Sequence, residues 1–399
     1  MLHNYIEKLL QGREVEWKRL GEITNYQQPT PYLVKTTNYN DSFKTPVLTA
    51  GKTFILGYTD ETDGLYQATE NPVIIFDDFT TANKWVDFDF KVKSSAMKII
   101  SSVDEEQYLL RYIYHWINTL PNIGKNTDHK RQWISNFSNL KIPIPPLDVQ
   151  QEIAKTLDRM TNICYELAKE LALRDQQYNY YRDRLLNLGE LIGGGNQCEW
   201  VRLGDVIYSL NTGLNPRRFF QLNTEDAINF YITIKEIRNG SISPTEKTDR
   251  INDEALKLCN NRSNLEIGDI LFSGTGTIGE TAVIKEAPTN WNIKEGVYAI
   301  KPKADLILSD FLRFLFTSSH IRSEFLKKAE GGTVKSISMK TLKKSQIPLP
   351  KLDEQERIVK ILDKFDRLTN SITEGLPKEI DLRQKQYEYY RDLLLNFDK

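Results

Sequence analysis

The chain has 399 residues, longer than one hydrophobic core usually serves, so two or more domains are expected. Its 53 basic and 54 acidic residues leave a net charge of −1, which excludes a global field drawing it onto a polyanion and leaves that role to local patches. The three cysteines, Cys164, Cys198 and Cys259, are odd in number and far apart, which suits reduced thiols better than a disulfide framework or a zinc site.

The opening "MLHNYIEKLL" lacks the apolar run of a signal sequence, and no stretch approaches the roughly 18 apolar residues of a membrane span. A soluble, cytoplasmic protein without a membrane partner is expected. Residues 1–15 hold "YIEKLLQ" (Tyr5–Gln11), which resembles the later "YRDRLLN" (Tyr181–Asn187), and each precedes an EW-RLG motif. The chain thus reads as starting with the last turns of a helix that it repeats further on.

Residues 16–140 form a first variable block, opened by "EWKRLGEI". Strand-like runs such as "NPVIIFDDF" precede a helical stretch around "EEQYLLRYIYHWINTL", which predicts an α+β domain of about 125 residues. Asp77, Asp78 and the Asp89-Phe90-Lys91 triplet could imitate a metal-dependent nuclease site, but alternating acids on an exposed strand are the expected explanation. The block ends in the basic polar loop "GKNTDHKRQWIS", with Lys125, His129, Lys130 and Arg131.

Residues 141–188 read as a spacer helix. The prolines of "IPIPPLDVQQEIAKTLD" favour extended backbone up to Asp148, which is expected to cap the helix with Gln151 closing a capping box. Ile153, Leu157, Met160, Cys164, Leu167, Leu171, Tyr178, Tyr181 and Leu185 then follow in steps of four and three, with Arg174 the polar exception. This is a heptad seam of about five repeats and about 50 Å, longer than a domain of this size needs for its own core.

A linker at 189–198 leads to a second variable block, 199–345, opened by "EWVRLGDV". Strand-like "INFYITIKEI", "GDILFSG" and "EGVYAIKP" and one helical stretch, "SDFLRFLFTSSHIRSEFLKK", predict another α+β domain of about 145 residues. "GTGTIG" (Gly274–Gly279) has the spacing of a dinucleotide or S-adenosylmethionine cradle, but β-branched "ETAVIKEAP" follows it where a helix is required, so a glycine-rich hairpin is expected. Arg217 and Arg218 stand beside a proline turn in "TGLNPRRFF", and "GGTVKSISMKTLKK" closes the block with Thr333, Lys335, Ser336 and Lys340.

Residues 346–399 repeat the spacer. "IPLPKLDEQERIVKILD" again offers a cap, Asp353 with Glu356, and the seam runs through Ile358, Leu362 and Phe365 to Tyr387, Tyr390 and Leu394. "EGLPKE" (Glu374–Glu379) is expected to kink or break it. The predicted fold class is α+β: two pseudo-two-fold-related α/β domains separated by two long antiparallel coiled-coil helices.

No active site emerges. His3, His115, His129 and His320 are isolated, with neither metal-ligand spacing nor an evident nucleophile beside them. Binding remains, and cations mixed with hydrogen-bonding side chains in comparable loops of both blocks suit phosphate contacts and base-edge readout.

The "IPIPPLDVQQEIAKTLD" and "IPLPKLDEQERIVKILD" repeats, the paired tyrosine helices, "GDILFSGTGTIGETAVI" and "TGLNPRR" together resemble the specificity subunits of type I restriction-modification enzymes over nearly the whole chain. The resemblance implies that each variable block is a target-recognition domain reading one half of a bipartite, asymmetric site on double-stranded DNA. It implies a non-catalytic chain whose helices set the spacing, at most about 15 base pairs for a 50 Å strut. Two modification subunits would dock on them carrying S-adenosylmethionine, with restriction and translocase subunits added. The "EGLPKE" break departs from equal spacers. A stand-alone methyltransferase or nuclease, or a coiled-coil scaffold indifferent to DNA, are the rival readings.

Overall fold

The computed structural model describes residues 3–50, 53–120, 131–187, 198–371 and 373–397. The chain divides into two compact units, residues 1–166 with 381–399, and residues 167–380. This division cuts across linear order. Each unit takes one variable block, the first part of the spacer that follows it, and the last part of the other spacer.

The first unit contains a four-stranded antiparallel sheet in the order Thr24–Gln27, Met97–Ser102, Val73–Asp77, Asn83–Val86. A three-stranded sheet follows the order Ile55–Thr59, Thr45–Leu48, Lys91–Val92, with only the last pair parallel. The second unit repeats both plans, as Ile207–Thr212, Val297–Pro302, Ile270–Ser273, Thr281–Val283 and as Arg250–Ile251, Asn229–Ile232, Trp291–Ile293. Alternation along a strand explains the layering. Ile74 and Phe76 face the core shared with helix Leu110–Ile117 and the spacer residues, while Val73 and Ile75 face the core under the smaller sheet. Ile270 and Phe272 divide from Leu271 in the same way.

The motifs that open and close each block pair with one another. Glu16–Arg19 and Lys141–Ile144 form an antiparallel ribbon with Trp17 opposite Pro143, and Glu199–Arg202 with Gln346–Leu349 place Trp200 opposite Pro348. A two-stranded ribbon tolerates prolines because an edge strand can spare an N–H.

The first spacer is one helix, Leu147–Leu186, of 40 residues. In the first unit its early turns run antiparallel to the chain's last helix, where Arg383 lies by Cys164 and Tyr387 by Asp158. In the second unit its late turns run antiparallel to helix Leu352–Asn370, where Tyr178 lies by Asp366 and Tyr181 stacks on Phe365 at 5.6 Å. The second spacer is two helices, Leu352–Asn370 and Gly375–Leu394. The break falls just before the expected prolyl turn, because Gly375 adopts φ +76° and a Cβ there would lie 2.4 Å from the Arg367 carbonyl. Pro377 then fits the first turn of the new helix, where its missing N–H has no intrahelical partner to lose.

Three local expectations need correction. The spacer helices start at Leu147 and Leu352, so Asp148 and Asp353 lie inside the first turn and close no capping box. Asp148 instead receives Arg13 at 2.8 and 2.9 Å. The helical stretch of the second block is two helices, Ser309–Thr317 and Ser319–Lys327, parted where the Ser318 hydroxyl bonds the Leu315 carbonyl. A further helix, Asp253–Ser263, starts where the Asn252 side chain accepts the Ala255 N–H.

Candidate nucleic-acid interface

Two strand-turn-strand units, one per block, carry the candidate surface. In the second unit "GTGTIG" joins Ile270–Ser273 to Thr281–Val283 as the expected hairpin. Its turn is fastened to the closing loop of the block: the Gly276 N–H donates to the Lys335 carbonyl, the Ile337 N–H donates to the Gly274 carbonyl, both at 2.9 Å, and Thr275 pairs with Ser336. Tyr298 donates its hydroxyl to the Ile337 carbonyl at 2.7 Å. Its ring fills the space beside Gly274, where a Cβ would come within 2.2 Å.

The first unit solves the same problem with charge. The Gln132 N–H donates to the Asp78 carbonyl at 2.9 Å, and the Trp133 N–H to the Asp78 carboxylate at 2.8 Å. Strand register places Lys98 opposite Phe76 as Tyr298 stands opposite Phe272. Lys98 lies 3.4 Å from Asp78, with both side chains 1% exposed.

The candidate contact residues fall as follows. Lys125, His129 and Lys130 lie outside the described residues. Arg131 is exposed just ahead of helix Gln132–Ser135. Arg217 and Arg218 are exposed on the turn Pro216–Phe219, capped by Asn215, whose amide also donates to Glu295 at 2.9 Å. Gly296, next in the chain, accepts the Gly274 N–H at 2.9 Å, which links the arginine turn to the glycine turn. Thr333 and Lys335 are exposed and Ser336 half-buried; Lys340 is exposed on helix Met339–Lys343, capped by Ser338.

The seam residues divide by position. Ile153 and Leu157 are buried in the first unit with Tyr387 and Leu394, with Met160 and Tyr390 at the margin. Tyr178, Ile358 and Leu362 are buried in the second, with Leu185 and Phe365 at the margin. Leu167 and Leu171 are only half-buried, and Tyr181 is exposed despite its stacking. Arg174 turns along its own helix to Glu170.

Sequence reasoning missed the strongest polar anchors. Gln150 and Gln355 are fully buried, each bonding a block's helix and its own proline lead-in. Arg111 and His115 both meet Asp158 at 2.7 Å, and Arg313 meets Asp366 at 3.0 Å, so a block helix grips a spacer carboxylate in each unit. Burial alone would raise the Asp158 carboxyl, but the hydrogen bonds from His115 and Arg111 outweigh it and hold the group below its ordinary value. Burial pushes the Tyr178 and Tyr387 phenols up to about 12.

Asp77 and Asp78 are buried, not displayed on an exposed strand, while Asp89 is half-buried and accepts the Thr69 N–H at 3.0 Å. Asp77 closes its turn by accepting the Phe79 and Thr80 N–H groups and the Thr80 hydroxyl, and Lys91 is buried between Glu61 at 2.8 Å and the Asp63 carbonyl at 2.7 Å. Such charges tolerate burial because each is paired. Among the described residues no three His, Cys, Asp or Glu side chains are grouped to hold a metal ion. His320 is exposed against Trp200, and no helix of the described residues is long and apolar enough to cross a membrane.

The family model described as "Type I restriction modification DNA specificity domain" matches twice, over residues 13–173 and 196–382. The chain belongs to that family. This specificity-family chain is 47% identical over 99% of its length, and 98% of the relative's, to the type I restriction enzyme EcoR124I/EcoR124II specificity subunit of Escherichia coli. It is 33% identical to a putative type I restriction enzyme specificity subunit of Haemophilus influenzae, over 98% of both chains. Its fold is that of the S subunit of a type I restriction-modification system from M. genitalium, with TM-score 0.61 at 15% identity over 97% of this chain and 98% of that one. A chain from a study of complex assembly and conformational transition in the type I R-M system shares the fold at TM-score 0.55 and 19% identity, over 97% and 99%.

Proposed function

We propose that this chain is the non-catalytic DNA sequence-specificity subunit of a type I restriction-modification complex in the cytoplasm. Residues 16–140 and 199–345 each read one half of a bipartite, asymmetric site, from segments that include Arg131 in the first and Arg217, Arg218, Thr333, Lys335, Ser336 and Lys340 in the second. The spacer helices, residues 141–188 and 346–399, set the gap between the half-sites and dock two modification subunits, which bring S-adenosylmethionine; restriction and translocase subunits complete the complex. Residues 1–15 complete the repeat, and 189–198 link its halves.

One observation carries this reading: the same two sheets, ribbon and spacer contacts recur in both units, while the loops they present differ. Constant scaffold with divergent loops is what two readers of different sequences on one duplex require. The near-neutral charge predicts weak binding by the isolated chain.

The test is a band shift on a random-sequence duplex and on genomic fragments, with and without the modification subunits, across salt concentrations. Salt-dependent, sequence-selective retention by the complex is expected. Retention of nothing would leave a scaffold. Calorimetric binding of S-adenosylmethionine by the chain alone, or plasmid cleavage with magnesium alone, would make it an enzyme.

A further inference from the structure

The "GTGTIG" turn is not a cofactor cradle, yet it lies on an exposed edge beside the candidate contact loop. We propose that the turn and the Gly331–Lys335 loop form one seat for the sugar-phosphate backbone of double-stranded DNA; this assignment rests on the DNA-recognition reading above.

The seat is rigid below and open above. Backbone bonds from Gly276 to Lys335 and from Ile337 to Gly274 fix the two loops side by side, and Tyr298 braces them from within the core. On the outer side Thr275, Gly276, Thr277, Gly332, Thr333 and Lys335 are all exposed. A Cβ placed on Gly276 or Gly332 would meet nothing within 4 Å. Bare glycine backbone lets a phosphodiester approach closely, threonine hydroxyls donate to its oxygens, and one lysine supplies charge. Hydroxyls, backbone and a lone cation match a phosphate ladder better than they match one base pair's edge.

Recurrence supports the assignment. The corresponding turn of the first unit is tied to the corresponding segment through Asp78, Gln132 and Trp133, although the side chains are almost wholly different. A spacing between two loops that survives such divergence suits the part of DNA that does not vary with sequence, its backbone.

Gly332→Leu tests the seat directly, because the new side chain enters open space and the backbone there is not left-handed. The complete complex with modification subunits is titrated with a fluorescent duplex bearing the methylated motif mapped in the host. The variant is expected to assemble and melt as the parent does and to bind at least about tenfold more weakly. Affinity within about twofold of the parent overturns the proposal. Lys335→Ala reads it independently: the slope of log affinity against log salt should lose about one unit, and an unchanged slope overturns the seat even if Gly332→Leu fails to assemble. If the parent complex does not bind the duplex, the DNA-recognition reading falls and the seat with it; if the parent binds and both variants match it, only the seat falls.

Discussion

Gln150 and Gln355 hold the same place in the two halves of the repeat and make the same three hydrogen bonds. Gln150 accepts the Leu109 N–H and donates to the Gln107 and Pro145 carbonyls; Gln355 accepts the Leu308 N–H and donates to the Leu306 and Pro350 carbonyls, all at 2.8 to 2.9 Å. Each thereby locks a block's helix to the start of its spacer. Leucine at either position strands three backbone groups, and a loss of about 3 kcal/mol in the stability of that unit is expected. Hydrogen exchange resolved by segment should show faster opening of the affected unit, with the other unchanged.

Gly274 and Gly332 should respond oppositely to alanine. At Gly274 the methyl group meets the Tyr298 ring at 2.2 Å, whereas at Gly332 it meets nothing. Gly274→Ala is expected to cost about 1–3 kcal/mol by overpacking and Gly332→Ala to stay within about 0.5 kcal/mol of the parent. Chemical denaturation of the two variants measures the contrast.

His115 makes the first unit sensitive to acid. Its imidazole is fully buried; burial, aided by the charges of Arg111 and Arg391, pushes its pKa below the ordinary value although Asp158 pulls the other way. Its Nδ1 has no hydrogen-bond partner among the described residues, so a proton added there is buried unsatisfied. The unfolded chain therefore binds this proton more readily, and stability is present above a pH of about 6.5 and declines as pH falls toward the folded value. Asp158, held low, adds a second loss at more acid pH. Counted from the N-caps Leu109 and Leu308, which the two glutamines hold, buried Phe314 occupies the corresponding helix position of the second unit, so segment-resolved exchange between neutral and mildly acid pH should weaken the first unit selectively. His115→Gln should flatten that dependence.

Spacer length should set the half-site gap. Leu157 is fully buried and Asp158 is gripped by Arg111 and His115, so shortening there would damage the first unit itself. Removal of residues 166–172, where the helix is half-buried or exposed, keeps the heptad phase. It takes out about 10 Å, or about three base pairs. Methylation mapping should find the same half-sites at a changed gap.

Much of this scaffold was legible in the sequence because it is written twice. The repeated tryptophan and proline motifs mark the ribbons, and the unbroken apolar runs within "NPVIIFDDF" and "GDILFSG" mark strands buried on both faces. What escaped was side-chain partnership over long separations. Gln150 and Gln355 recur in both "LD-Q" segments, but local capping rules favour the aspartate and cannot see Leu109 or Leu308 arriving from elsewhere. Asp78 and Lys98 each look exposed in isolation, because a charge is buried only with a partner, and here the partner lies on another strand. The heptad seam overstated its own sealing, since Leu167 and Leu171 keep the spacing yet remain only half-buried.

The central claim is that each variable block reads its own half-site. Methylome sequencing of hosts carrying the intact system, and the same system with residues 199–345 exchanged for the corresponding block of another family member, tests it most directly. A bipartite motif is expected in the first, with one half replaced and the other half and the gap retained in the second; a contiguous motif, or an exchange that altered both halves, would contradict the account.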